Sequence, residues 1–154
     1  MPTYYINADT GDDGAGDGSS GNPWLTIAHA VTNSITDDII ELQTSIASYA
    51  VVNIKLPPRT IQSEAGTIAN ITTVSPTLRI IINTASSTYN FFNLNFDSII
   101  YNSGGLFNVS FALGNITMNL TNISFTDNEI INPNNRRSGL FGLEQATNFT
   151  ANLT

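Results

Sequence analysis

Asn93-Leu94-Asn95-Phe96 returns 29 residues later as Asn122-Ile123-Ser124-Phe125, and Asn152-Leu153-Thr154 follows after a further 30. One step earlier, Asn70-Ile71-Thr72 has the same polar–aliphatic–polar order, 23 residues before Asn93. Each copy alternates with period two, the pattern of a strand that buries one face. Other features travel with it. Ile99-Ile100 has a counterpart at Ile130-Ile131, and Gly105-Leu106-Phe107 has one at Gly139-Leu140-Phe141, 34 residues on. The extra residues of this longer step fall in Pro133-Asn134-Asn135-Arg136-Arg137, which has the composition of a loop. Recurrence of three features in the same order marks a repeated unit.

Each unit holds three short strands and three turns and cannot bury its apolar face alone. Stacking coil on coil gives every strand a parallel partner about 4.8 Å away. Leu94, Ile123 and Leu153 are then expected as an inward aliphatic ladder, with Phe96 and Phe125 as an aromatic one. The intervening polar residues form outward rows, Asn70-Asn93-Asn122-Asn152 beside Thr72-Asn95-Ser124-Thr154. The expected fold is all-β, a parallel β-helix, with a β-sandwich as the alternative.

The remaining chain fits that frame. Met1 to Ile6 reads as a strand, and residues 7–22 as a loop rich in Gly, Asp and Asn. Trp24, Ile27, Ala28, Val31 and Ile35 recur at helical spacing, which predicts about ten residues of helix with Asn22 as N-cap and Pro23 at the first position. Short β-branched runs follow at Ile39–Leu42, Val51–Ile54 and Leu78–Ile82. One domain is expected: residues 1–36 form the strand, loop and capping helix, and residues 37–154 the coils. The helix would cover the open apolar end of the first coil, whose bare strand edges are otherwise an aggregation hazard. No equivalent cap is legible near Thr154, so further chain or another molecule is expected to cover that end, with self-association as one route.

Tyr5-Ile6-Asn7 with its acidic Gly-rich loop, then Asn22-Pro23-Trp24-Leu25-Thr26-Ile27-Ala28-His29-Ala30-Val31, resembles the opening segment of pectate-lyase-like right-handed parallel β-helix proteins. Asp38-Ile39-Ile40-Glu41-Leu42 looks like the first coil of that superfamily, so the resemblance covers residues 4 to 42. It implies a right-handed solenoid behind a capping helix. Phe125-Thr126-Asp127-Asn128 and Gly104-Gly105-Leu106 resemble repeats of polymorphic outer-membrane adhesins, which are also β-helical.

Enzymes of the resembled superfamily cut acidic polysaccharides, with Ca²⁺-holding carboxylates and a basic residue, or with paired aspartates, a Gly-His-Gly and an Arg-x-Lys element. This chain has neither Gly-His-Gly nor Arg-x-Lys. His29, the one histidine, lies in the capping helix, and Lys55, Arg59 and Arg79 have no acidic cluster in the expected register. Asp97 and Asp127 are the one pair that the coil alignment brings near each other, as glycoside hydrolysis requires. No catalytic residue is assigned.

Composition excludes other chemistry. The net charge is −7 and the only adjacent basic pair is Arg136-Arg137, so nucleic acid is not an expected partner. With no cysteine there is no disulfide, thiolate nucleophile or thiolate metal site. No apolar run approaches the roughly 18 residues of a membrane span, and the first residues do not read as a signal peptide. The best metal candidate is the loop of Asp9, Asp12, Asp13 and Asp17, whose oxygens suit Ca²⁺. A solvated acidic turn ahead of a helix N-terminus explains the same residues. Otherwise no cofactor is expected.

The chain has 20 Asn and 33 Ser plus Thr, and these residues make its polar surface. Asn93, Asn95, Asn122 and Ser124 on the outward rows are candidates for contact with a polysaccharide or cell-surface glycan. Asn70, Asn108, Asn115, Asn119, Asn122 and Asn148 begin Asn-x-Ser/Thr triplets that accept N-glycans in a secreted eukaryotic protein, and Asn152 begins a seventh. Stacked Asn side chains also hydrogen-bond one another along a parallel sheet without any ligand. Two functional readings stay open: a structural or adhesive module at an extracellular, cell or virion surface, and the N-terminal part of a polysaccharide lyase or glycoside hydrolase with its active coils beyond Thr154. Fold alone does not separate them.

Overall fold

The computed structural model describes residues 1–51, 54–55, 59–73, 80–82, 87–98, 100–101, 107–110, 115–130, 141–144 and 148–154. It is mostly strand, in a parallel sheet curled into a half-barrel. In chain order the elements are β1 (Thr3–Ile6), α1 (Ile27–Asn33), β2 (Ile39–Leu42), β3 (Tyr49–Val51), β4 (Ile54–Lys55), β5 (Thr60–Ser63), β6 (Ala69–Thr73) and β7 (Ile80–Ile82). They continue with β8 (Ser87–Asp97), β9 (Ile100–Tyr101), β10 (Phe107–Ser110), β11 (Asn115–Thr126), β12 (Glu129–Ile130), β13 (Phe141–Glu144) and β14 (Asn148–Leu153).

Every pairing between these strands is parallel. The largest sheet runs β1-β2-β5-β8-β11-β14, with β3 and β6 extending it beside the second half of β8. A second sheet runs β13-β10-β7-β4 and a third pairs β12 with β9. From β8 onward the chain visits the first, third and second sheets in turn, then repeats the circuit. Parallel partners distant in sequence need such a crossover, because a tight hairpin joins only antiparallel strands.

Two inward rows carry the core. Ile40, Ile61, Phe91 and Leu120 stand in register and are buried, as are Tyr49, Ile71 and Phe96 on the other half of the sheet. Each such side chain contributes about 1.5–3 kcal/mol by leaving water. Phe125 stacks on Phe96 at 5.4 Å with an interplanar angle of 12°, which gives the expected aromatic ladder, but only Phe96 is buried and Phe125 is 37% exposed. Ile123 pairs with Leu94 as expected. Leu153 does not extend that row: it pairs with Leu120, and beyond its last partner it is 65% exposed.

A single residue lets β8 turn a corner without losing its inward face. Phe91 and Leu94 are both buried although three positions apart, and the extra residue, Asn93, has φ 56°. Asn122 repeats this at φ 52° in β11. Asn reaches the left-handed region more easily than other non-glycine residues. Ser98 (φ 52°) and Asp127 (φ 49°) make a second stacked corner with the same 29-residue step, and Ser98 N donates to Thr126 O (2.9 Å).

The register corrects other expectations. Asn152 stands on Asn119, a step of 33, and Asn70 stands beside Asn95, not Asn93. Thr72 pairs with Ala50 instead of Asn95. Phe141 does pair with Phe107, whereas Glu129 and Ile130 pair with Ile100 and Tyr101. The step grows from 29 to 34 between β12 and β13, where residues 133–137 fall outside the described residues. Arg79, Arg136, Arg137, Gly104 to Leu106 and Gly139-Leu140 also lie outside them.

The capping helix is shorter than expected. It starts at Ile27, and Thr26, not Asn22, is its N-cap, accepting from His29 N (3.1 Å). Trp24 is held out of the helix by β1: its N donates to Tyr5 O (3.0 Å) and its O accepts from Asn7 N (2.9 Å). Its ring stacks on Tyr4 at 5.0 Å and its Nε1 donates to Gly16 O (3.0 Å). Close packing of this loop depends on glycine at Gly11, where a Cβ would lie 2.2 Å from Trp24 O and 2.5 Å from Asn7 O.

Candidate functional site

The four loop aspartates do not converge. Asp9 accepts from Ile46 N (2.6 Å) and Ala47 N (3.0 Å), tying the loop to the segment between β2 and β3. Asp12 closes a local turn on Gly14 N and Ala15 N, and Asp17 does the same on Ser19 N. Asp13 accepts from Leu25 N (2.8 Å), Thr26 N (3.0 Å) and Thr26 Oγ1 (2.6 Å). Hydrogen bonds from Ile46 and Ala47 hold the Asp9 carboxyl below its ordinary value. Partial burial pushes Asp13 up, but the Thr26 and Leu25 hydrogen bonds and the nearby His29 outweigh it and leave the carboxyl lowered. Among the described residues no three His, Cys, Asp or Glu side chains are grouped to hold a metal ion.

A buried polar pair lies under the cap. Asp38 and Arg59 precede the paired strands β2 and β5 and occupy the inward row above Tyr89, both almost fully buried. Arg59 Nη1 donates to Ser34 Oγ, at the C-terminal cap of α1. Burial lowers the guanidinium's proton affinity and the Asp38 charge opposes that effect. Arg59 therefore has an acidic neighbour in register, which the sequence reading did not anticipate. Its position pins the capping helix to the first coils. Asp97 and Asp127 are not paired: Asp97 faces Thr126, and Asp127 is the corner residue one place further on.

The outward Asn and Ser residues form ladders among themselves. Asn122 Nδ2 donates to Asn93 Oδ1 (3.0 Å), and Asn95 Nδ2 donates to Asn70 Oδ1 (3.1 Å). Ser124 Oγ and Thr126 Oγ1 both donate to Asn95 Oδ1 (2.8 and 2.9 Å). A separate ladder runs Asn152 to Asn119 (2.8 Å) and Asn119 to Asn90 (2.7 Å). Of the triplet asparagines, Asn70, Asn115, Asn122 and Asn152 are exposed and Asn119 is part-buried in its ladder. Asn108 falls on β10 and Asn148 on β14, and their side chains lie outside the described residues.

A groove of about 400 Å³ opens on the outward face, lined by Glu41, Gln62, Ser63, Ala65, Phe92, Asn93 and Thr121. Corner length explains its place. Residues 43–48 join β2 to β3 and residues 64–68 join β5 to β6, but β8 and β11 turn on Asn93 and Asn122 alone. Ala65, in the longer corner, thus stands beside the tight corner of the next coil. Glu41, Gln62, Phe92 and Thr121 occupy one outward row on four successive strands. Gln62 Nε2 donates to Glu41 Oε2 (2.7 Å), and Phe92 is half-buried between the polar groups. Of the carbohydrate candidates, Asn93 lines this groove; Asn95, Asn122 and Ser124 do not.

Sequence reasoning missed Glu41, Gln62 and Phe92. A signal existed in the doublet Phe91-Phe92: within an alternating strand, one of two adjacent aromatics faces outward. Among the described residues no helix is long and apolar enough to cross a membrane. Comparison with family models, with curated proteins and with solved structures finds no match.

Proposed function

We propose that this chain is a right-handed parallel β-helix of the pectate-lyase-like kind, acting as a structural or adhesive module that contacts glycans at an extracellular, cell or virion surface. The solenoid reading draws support from the repeated circuit among three parallel sheets. Right-handed connection is the overwhelming preference for parallel crossovers. The Asn7–Val31 segment, with its helix set over the first coils, supports the family reading.

The observation that carries the functional reading is Phe92, an aromatic ring on the outward face beside Glu41, Gln62 and Asn93. An apolar ring flanked by a few fixed polar groups is the usual make-up of a small-molecule site. A pyranose matches it, with C–H groups for the ring face and hydroxyls for the amides and carboxylate. Contact is favoured over cleavage because glycoside hydrolysis takes two carboxylates, and Glu41 is the one acidic group among the described residues lining the groove. A glycan array probed with the wild-type chain and with Phe92→Ala tests this reading. Binding to a defined set of glycans that Phe92→Ala removes is the expected result. Cleavage of any bound glycan, or binding indifferent to Phe92, overturns it.

A further inference from the structure

Resting on that reading, we infer that the groove selects a neutral glycan lying along the stack, across the strands, and discriminates against polyuronates. Direction follows from register. Glu41, Gln62, Phe92 and Thr121 are neighbours on adjacent strands, not along one strand. Their spacing of about 4.8 Å per step is comparable with one pyranose unit of an extended chain. The row spans three steps, about 14 Å, and so accommodates about four sugars.

Charge sets the class. A uronate chain carries a carboxylate on every sugar and needs cations or a bound metal ion at the site. The described lining of the groove offers a carboxylate at Glu41 and the neutral groups of Gln62, Ser63, Asn93 and Thr121. The whole chain adds a net charge of −7. Repulsion of a polyanion at this face is weakly screened at low salt. Neutral hydroxyls, by contrast, find the acceptor oxygens of Glu41 and Asn93 and the donor and acceptor of Gln62 and Thr121.

The test is calorimetric titration of the full chain with cellohexaose, mannohexaose, N-acetylchitohexaose and hexagalacturonate, at low and at physiological salt and without divalent cations. Shorter members of any bound series follow. Phe92→Ala and Gln62→Leu are the variants, each checked by circular dichroism for an unchanged fold. At least one neutral series is expected to bind, with affinity rising to about four sugars and then levelling. Phe92→Ala is expected to weaken it about tenfold or more, and hexagalacturonate to bind more weakly than the neutral ligand. Tighter binding of hexagalacturonate through Phe92 overturns this inference and leaves the glycan-contact reading intact. Affinity already complete at one sugar overturns the lengthwise placement. Binding of none of the four ligands, or binding unaffected by both substitutions, overturns the inference; the glycan array decides separately whether the broader reading fails with it.

Discussion

Asn93→Ala is the substitution from which most can be learned about the corner. The residue sits at φ 56°, and its Oδ1 accepts from Asn122 Nδ2 at 3.0 Å. Alanine in the left-handed region carries a penalty of about 1–2 kcal/mol that Asn partly escapes through its local polar side chain. The lost ladder bond, which is exposed, adds about 0.5–1 kcal/mol. Together these give about 1.5–3 kcal/mol. At about 2–4 °C per kcal/mol for a chain of this size, the midpoint should fall by about 3–12 °C. Asn93→Gly removes the φ penalty but also the hydrogen bond, and it loosens the unfolded chain, so its cost should be nearer 1 kcal/mol. Asn93→Asp keeps both the acceptor and the tolerance of positive φ and should lie close to wild type. Asn90→Ala removes ladder bonds to Asn119 and Thr60 at a residue without positive φ, and it isolates the hydrogen-bond part. Thermal melting followed by far-ultraviolet circular dichroism gives the four midpoints, and urea unfolding gives the four free energies, compared only where the slopes agree. If Asn93→Gly proves as damaging as Asn93→Ala, or if Asn90→Ala matches both, the left-handed corner is not what makes Asn necessary.

Three further outcomes follow from the cap and the buried pair. Asp38→Ala should cost about 1–3 kcal/mol, because it removes the acceptor of Ile35 N and the acidic neighbour of the buried Arg59 guanidinium, whereas Asp38→Leu with Arg59→Met should recover part of that loss; chemical denaturation of the three proteins checks it. Gly11→Ala should destabilise by about 1–3 kcal/mol through its clash with two backbone oxygens, while Gly21→Ala, whose Cβ would meet nothing within 4 Å, should stay within about 0.5 kcal/mol of wild type by the same measurement. The Asp13 carboxyl is lowered from 3.8 in the folded chain, so its stabilisation is fully present above that value and is lost as pH falls through the folded value. Asp13→Asn should therefore be less stable than wild type at neutral pH, and the gap should close below about pH 4 in melting curves taken across the acid range.

Much of the fold was legible because certain residues report the backbone directly. The Leu94/Ile123 and Phe96/Phe125 pairs repeat in register, so the 29-residue step stood out, whereas in the sequence the left-handed corners at Asn93 and Asn122 look like outward positions of a continuous alternation. The step to β14 did not. Asn152-Leu153-Thr154 imitates the corner motif, but Asn152 belongs to the ladder of Asn90 and Asn119. In a chain with 20 Asn, side-chain identity alone fixes register poorly once loops change length. The groove was less legible still. Its row joins residues 21, 30 and 29 positions apart, and unequal corners separate them. No fixed period brings Glu41, Gln62 and Phe92 together, although Phe91-Phe92 announced that one aromatic ring would face outward. Likewise the Asp-rich loop has the composition of a cation site, yet its backbone amides take up the carboxylates one by one.

Residues far apart in sequence stand on adjacent parallel strands in one outward row. Backbone nuclear Overhauser contacts on an isotope-labelled sample test this arrangement most directly. The expected result is a set of amide-to-α-proton contacts linking the strand around Gln62 to that around Phe92, and the latter to that around Thr121, all in parallel register. Antiparallel contacts between strands that are consecutive in sequence, the signature of a β-sandwich, would contradict the stack and, with it, the groove.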